Sequence, residues 1–331
     1  MATIDDVARS AGVSVSTVSY VLSGKRPISE PTRERVRKAV AELGYRPHAG
    51  ARALASSRTQ VIGLVAPLRA GVDVNVIMQF VAGVVTRARS FEHDVLLLTQ
   101  DDVAGIERVS SGSMVDALVV MDVEAQDPRI TTLLAVKQPV VLIGLPARPH
   151  GLSCVDLDFE AVGRLAVTHL VELGHRTIGL VGPPPSVLAR HTSYAERLIR
   201  GLQSQAEEDG VHAVVEPAEP GHRGGQAATE VLLAVDGLTG IVVHNEAALP
   251  AVLDTIRQAG RRVPEDVAVL TVGPPEVALS QTPPVTSIDI PAQEIGGAAV
   301  DMVIERLASA GSPQTRLFSP RVTLGETTAR H

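Results

Sequence analysis

A phrase that the chain uses twice limits its fold more than any other feature: Ile62-Gly-Leu-Val-Ala-Pro67 returns as Ile178-Gly-Leu-Val-Gly-Pro183, 116 residues later. Each copy is a short aliphatic run closed by a small residue and a proline, the composition of a buried strand leaving a sheet. The runs Val61–Ala66, Val95–Leu98, Ala117–Met121 and Val140–Ile143 are separated by stretches long enough for a helix. The same rhythm resumes in Thr177–Val181, Val211–Val215, Gly240–Val243 and Val267–Val272. Strands that are apolar on both faces and alternate with helices build parallel sheets covered on both sides. At about 270 residues this part exceeds a single core, so we expect two similar lobes, each opening on the same strand. A ligand cleft then belongs at the carboxyl ends of the strands, between the lobes.

The first sixty residues follow another period. Ile4, Val7, Ala8 and Ala11 fall at i, i+3, i+4 and i+7, one face of a short helix, with Thr3 as cap and Asp5 and Asp6 in the first turn. Gly12 breaks it. Ser14 opens a second helix in which Val18, Val21 and Leu22 point the same way as the first set. Val15, Ser16, Thr17, Ser19 and Tyr20 are left on other faces. A third helix, opened by Ser29 and Pro31 and closed by Gly44, carries Val36, Ala39, Val40 and Leu43 inward. Two short helices about a glycine corner, braced by a third, form a helix-turn-helix. Residues 1–60 hold ten Lys or Arg against five acids, a balance of +5, and the remainder carries −12 of the total of −7. Only the head suits a phosphate backbone, a fact that the whole-chain charge conceals.

Several motifs together resemble the lactose-repressor (LacI/GalR) family of bacterial transcription regulators. They are Thr3-Ile-Asp-Asp-Val-Ala8, Gly12-Val-Ser-Val-Ser-Thr-Val-Ser19, Gly44-Tyr-Arg-Pro47, Ala51-Arg-Ala-Leu-Ala55 and Thr59-Gln-Val-Ile-Gly-Leu-Val65, then Leu173-Gly-His-Arg-Thr-Ile-Gly-Leu-Val181 and Val263-Pro-Glu-Asp-Val-Ala-Val269. The similarity spans the chain, and its motifs are specific only in combination. It implies an all-α helix-turn-helix head over 1–47, a hinge helix or linker over 48–59, and an α/β two-lobed, periplasmic-binding-protein-like domain over 60–331. The lobes would be Rossmann-like and discontinuous, one taking about 60–158 plus 291–320, the other about 159–290 plus the C-terminal segment. The chain would cross between them near Asp158, near Pro291 and once more towards the C-terminus.

Residue by residue, the resemblance assigns Val15, Ser16 and Tyr20 to base edges in the major groove. Ser14, Thr17, Ser19 and Tyr45 would position the DNA backbone. Ser19 has a competing place in the head's core. In the hinge, Leu54 would wedge between base steps of the minor groove, with its partner across a homodimer. Leu54 is otherwise simply a linker residue. The implied protein is a repressor whose affinity for double-stranded operator DNA is controlled by a small-molecule effector, a sugar or related metabolite, in the cleft.

Polar residues in loops after the strands are the candidates for that cleft: Arg69 and Asp73, Thr99 and Gln100, Asp122, and Asn245 followed by Glu246. Arg197, at the start of a helix ending in Arg200-Gly201, lies near the arginine with which family members grip an effector. Its spacing from the glycine is one residue too long, and Arg190 in the same loop competes with it. The effector would thus be held by Arg69, Gln100, Asp122, Arg197 and Asn245.

The chain departs from its family where a sugar would be held. Thr271-Val-Gly-Pro274 stands in place of a run with two carboxylates, and Val74-Asn-Val-Ile77 in place of one with two aromatics. With four Phe, three Tyr and no Trp, the chain is poor in rings for stacking sugars, so the effector class stays open. No glycine-rich dinucleotide or phosphate loop is present, and the lone Cys154 excludes cysteine metal clusters and internal disulfides. We expect no enzyme, no cofactor and no metal, and His175 reads as a structural residue at a helix end. A solute-binding module of the exported kind is the rival reading for the large domain. The polar, acidic amino terminus and the lack of an apolar run of spanning length place the chain in the cytoplasm, away from membranes.

Overall fold

The computed structural model describes residues 2–23, 26–45, 58–69, 74–100, 102–112, 114–309 and 311–331. The expected hinge helix with Leu54, and the loop residue Asp73, lie outside the described residues.

Three helices form the head: α1 (Ile4–Ala11), α2 (Val15–Ser23) and α3 (Glu30–Leu43). Thr3 and Asp6 form a reciprocal capping box at the start of α1, Thr3 Oγ1 accepting from the Asp6 amide and the Asp6 carboxylate accepting from the Thr3 amide at 2.9 Å. Those bonds, foremost the one from the Thr3 backbone, hold the Asp6 carboxyl below the usual carboxylate range. Gly12 ends α1 at φ 63°, a left-handed corner that strains any residue with a Cβ. Ser14 Oγ then accepts from the Thr17 amide at 3.2 Å and opens α2. Val7, Ala8, Ala11, Val18, Val36, Ala39 and Tyr45 make the core. Leu22 and Leu43, expected inside, are exposed. Each sits in the last turn of its helix, beyond the reach of a core built largely of Val and Ala.

The large domain contains two six-stranded sheets. The first comprises β1 (Val61–Val65), β2 (Asp94–Leu98), β3 (Ala117–Val120), β4 (Val140–Ile143), β5 (Ser153–Leu157) and β11 (Thr315–Phe318), in the order β11-β5-β4-β3-β1-β2, every pair parallel. The second comprises β6 (Thr177–Gly182), β7 (His212–Pro217), β8 (Gly240–Val243), β9 (Ala268–Gly273), β10 (Thr286–Asp289) and β12 (Val322–Thr323), in the order β12-β10-β9-β8-β6-β7. The repeated phrase thus supplies β1 and β6, which hold equivalent places next to one edge of each sheet. One departure from a purely parallel design is β12, which runs antiparallel to β10 with Ser287 opposite Thr323.

The first sheet forms the N-lobe and the second the C-lobe. The chain passes between them after β5 at Asp158, again at Pro291, and a third time between Phe318 and Val322. Helices α4 (Val74–Ser90) and α13 (Ala292–Ala308) pair on the N-lobe, and α7 (Phe159–Glu172) and α9 (Ser193–Glu208) on the C-lobe. Both pairs meet backbone to backbone at glycines. A Cβ on Gly83 would stand 2.2 Å from the Gln293 carbonyl, and one on Gly296 would stand 2.4 Å from that of Phe80. In the C-lobe, one on Gly201 would stand 2.0 Å from the Glu160 carbonyl and one on Gly163 2.2 Å from that of Leu198. The internal repeat therefore extends from the strands to the helix crossings.

Candidate functional site

The cleft lies at the carboxyl ends of both sheets. It encloses a cavity of about 140 Å³ lined from the N-lobe by Val76, Ile77, Phe80, Asp122 and Asp156, and from the C-lobe by Phe159, Pro183, Tyr194, His244, Asn245 and Glu246. Phe159, Tyr194 and His244 form a ring cluster, with centroids 5.5 to 5.9 Å apart.

Asp122 follows β3 and sits at φ 55°, a left-handed conformation that Asp tolerates better than most residues. Buried Arg129 holds this turn from behind, donating to the carbonyls of Met121 at 3.3 Å and Asp122 at 2.8 Å while its charge meets Asp127 at 2.6 Å. Although burial alone would raise the Asp127 carboxyl, the bonds from Arg129 bring it below its ordinary value. So oriented, Asp122 accepts from Arg69 Nε at 2.9 Å within the N-lobe and from both terminal nitrogens of Arg190, at 2.8 and 3.2 Å, across the cleft.

The backbone closes the same seam. The Ala125 amide donates to the His191 carbonyl at 2.8 Å, the Ser193 amide to the Val123 carbonyl at 3.0 Å, and Ser193 Oγ to the Leu145 carbonyl. Glu124 and Thr192 form an antiparallel bridge. Deeper in, Arg197 Nη1 donates to Asp156 at 2.7 Å and Nη2 reaches the Leu157 carbonyl at 3.3 Å. Burial pushes the Asp156 carboxyl up to about 7 against the pull of Arg197. Burial also lowers His244 to about 4 and raises the Tyr194 phenol, so both are neutral near pH 7.

The five sequence-derived cleft residues do not converge. Asp122 and Asn245 line the cavity, Asn245 with its Nδ2 donated to the Ala218 carbonyl at 2.9 Å. Arg69 reaches the site through Asp122. Arg197 does not line it, because its guanidinium is taken up by Asp156 and Asp158; it borders a separate cavity of about 480 Å³ with Arg164 and Arg200. Its helix, expected to end at Arg200-Gly201, continues to Glu208, since Gly201 serves a helix crossing rather than a stop. Gln100 does not line the cavity either: it is exposed and accepts from Arg108 at 3.2 Å. Sequence reasoning missed Phe159, Tyr194, His244 and Asp156, which lie in or beside helices and strands that carry no polar loop signal. His175 is buried, with its ring nitrogens 3.0 Å from Thr239 Oγ1 and 3.2 Å from the Ala329 carbonyl.

On the head, Val15 and Ser16 are exposed on α2 and Ser19 and Tyr20 half-buried, while Val18 is buried in the core. The Arg26 guanidinium lies 5.1 Å from the Tyr20 ring centre. Ser14 and Thr17 bond each other at 2.9 Å at the start of α2. Tyr45 is a core residue, 8% exposed, so its ring braces the head from within. Among the described residues no group of His, Cys, Asp or Glu is placed to hold a metal, and no helix is long and apolar enough to cross a membrane.

A profile of the bacterial regulatory proteins of the lacI family matches residues 3–48, and one of a periplasmic binding protein-like domain matches residues 167–328. The HTH-type transcriptional regulator CelR of Thermobifida fusca is 30% identical over 95% of this chain and 94% of its own. Among solved structures, a CelR–cellobiose complex covers 99% of this chain and 100% of its own at TM-score 0.69 and 27% identity. The lac repressor dimer bound to operator and the anti-inducer ONPF covers 99% of both chains at TM-score 0.84 and 25% identity. Similarity that covers head and both lobes together identifies the chain as a member of the lacI family of bacterial transcriptional regulators.

Proposed function

We propose that the protein is a homodimeric repressor in which residues 1–47 read operator DNA, 48–59 form the hinge, and 60–331 bind an effector and the second subunit. The observation that carries this reading is the free face of α2. Val15 and Ser16 are exposed, with half-buried Tyr20 beside them, on a helix whose other side packs against the capped α1, as insertion into a major groove requires. Ser14, Thr17 and Ser19 set the register on the backbone, Tyr45 supports them from the head's core, and Leu54 wedges the minor groove. Occupancy of the cleft, through Asp122, Asn245 and the arginines that bind its carboxylates, shifts lobe closure and with it the spacing of the two heads.

Dimerisation is supported by α4, where Val74, Met78 and Val85 form an exposed apolar stripe along one side of the helix. A cytoplasmic location and the lack of catalysis follow from the same reading, since a regulator acts on DNA and carries no chemical step. Selection of genomic fragments by the full-length protein tests it. A pseudo-palindromic site should be enriched, Leu54→Ala should weaken it strongly, and affinity should fall on the order of a thousandfold between low and moderate salt. No enrichment, or a flat salt response, would remove the reading.

A further inference from the structure

We propose that the ligand of the inter-lobe cavity is a small, uncharged, single-ring aromatic or heteroaromatic compound with one or two polar substituents, rather than a saccharide. This deepens the regulatory reading above and takes from it only the idea that the cavity binds the effector.

The walls argue first. Of the seven Phe and Tyr in the whole chain, Phe80, Phe159 and Tyr194 line this one cavity, with Ile77 and Pro183 beside them. Rings that are scarce elsewhere are concentrated where a flat ligand would pack against faces and edges. The volume, about 140 Å³, is close to that of an apolar cavity of about 150 Å³ that takes up benzene.

The polar groups argue next. A saccharide presents hydroxyls on every side, and each one left unpaired on desolvation weakens binding. Here the protein has already used the groups that would receive them. Asp122 is held by Arg69 and Arg190, Asp156 by Arg197, and the Asn245 amide by the Ala218 carbonyl. A charged ligand gains little, because Asp122 already pairs with Arg69 and Arg190, and Asp156 with Arg197. Among the groups that the protein leaves unused is His244. It is 6% exposed, its Nδ1 has no hydrogen-bond partner among the described residues, and burial keeps the ring neutral. A neutral imidazole offers one donor and one acceptor, enough for a hydroxyl, a carbonyl or a ring N–H on an otherwise apolar molecule.

The experiment uses the full-length protein and named probes: phenol, benzyl alcohol and nicotinamide as neutral rings, benzoate as an anion, and cellobiose, galactose and ribose as sugars. Thermal shift and calorimetry read binding, since a ligand of the folded state alone raises Tm. At least one neutral ring should raise Tm by several degrees where benzoate and the sugars do not. His244→Phe should weaken that compound about tenfold. Val76→Trp, placed on the cavity wall, should abolish its binding, and the indole, the sole one in a chain without Trp, reports by its emission whether the variant is folded. Ile77→Phe serves as a milder filling if it is not. Stabilisation by a sugar alone, or by no probe, overturns the proposal. Operator binding by the unliganded protein is read separately, so the ligand class can fail while the regulator stands. Conversely, binding of a ring without any DNA binding upholds the ligand class and removes the regulator.

Discussion

Arg190 spans the cleft to Asp122 with two hydrogen bonds, at 2.8 and 3.2 Å, and so joins the lobes through a carboxylate that Arg69 already occupies from its own side. One acid therefore serves two guanidiniums, and its loss loosens the contact from both lobes at once. The bridge between Glu124 and Thr192 and the bonds at Ala125 and Ser193 accompany it along the same seam.

Asp122→Asn keeps the left-handed turn and removes the charge, and should lower stability by about 1–3 kcal/mol, the range for a partly buried pair that loses one partner. Chemical denaturation measures it. In a double-mutant cycle with Arg190→Ala the coupling should reach about 1 kcal/mol or more. A coupling near zero would mean that the two residues meet without holding the lobes.

Gly201→Ala sets a methyl against the Glu160 carbonyl at 2.0 Å and should lower stability by about 1–3 kcal/mol, as overpacking does. Gly297→Ala gives the contrast. Its nearest neighbour is the Arg87 Cβ at 3.9 Å, so the methyl has room and the helix should gain about 0.5–1 kcal/mol. Opposite shifts in Tm for two glycines in helices of one chain would check the crossings.

Burial lowers His244 to about 4 from an ordinary value of 6.5, so the unfolded chain binds this proton more tightly than the folded one. Stability from this residue is complete above pH 6.5 and is lost as the pH falls towards 4, by on the order of 3 kcal/mol in all. Asp156, raised to about 7, acts in the opposite direction. The measurement is accordingly the difference between wild type and His244→Phe in denaturation midpoint from pH 7 to 4.5. That difference should shift in favour of the variant on acidification.

Met78→Glu places a charge in the exposed stripe of α4 without touching cleft or head. Sedimentation should show a monomer, and DNA affinity should drop with it, while cleft ligands should bind undiminished. A variant that remains dimeric would move the subunit contact elsewhere.

Much of the fold was legible because burial on both faces leaves unbroken aliphatic runs, as in β3, β4, β6 and β8. The strands that escaped, β5, β10, β11 and β12, carry Ser153, Asp156, Thr286, Ser287 and Arg316, polar groups held by hydrogen bonds or edge positions that a hydropathy pattern does not register. The cleft was harder to read for a related reason. A polar residue after a strand looks alike in sequence whether it faces the cavity, as Asp122 does, or solvent, as Gln100 does. Arg197 and Asp156 meet across 41 positions, and no local spacing announces such a pair. His244 adjoins Asn245, yet one residue's hydrogen bonds are satisfied and the other's are not, a distinction made only by packing.

The three passages at Asp158, at Pro291 and between Phe318 and Val322 run side by side from one lobe to the other. Three parallel ligaments act as a flexure. Connections grouped in this way should bend together more easily than they shear, so the motion expected between the lobes is an opening and shutting about them. Close glycine crossings within each helix pair leave little slack inside either lobe, which favours movement of the lobes as bodies.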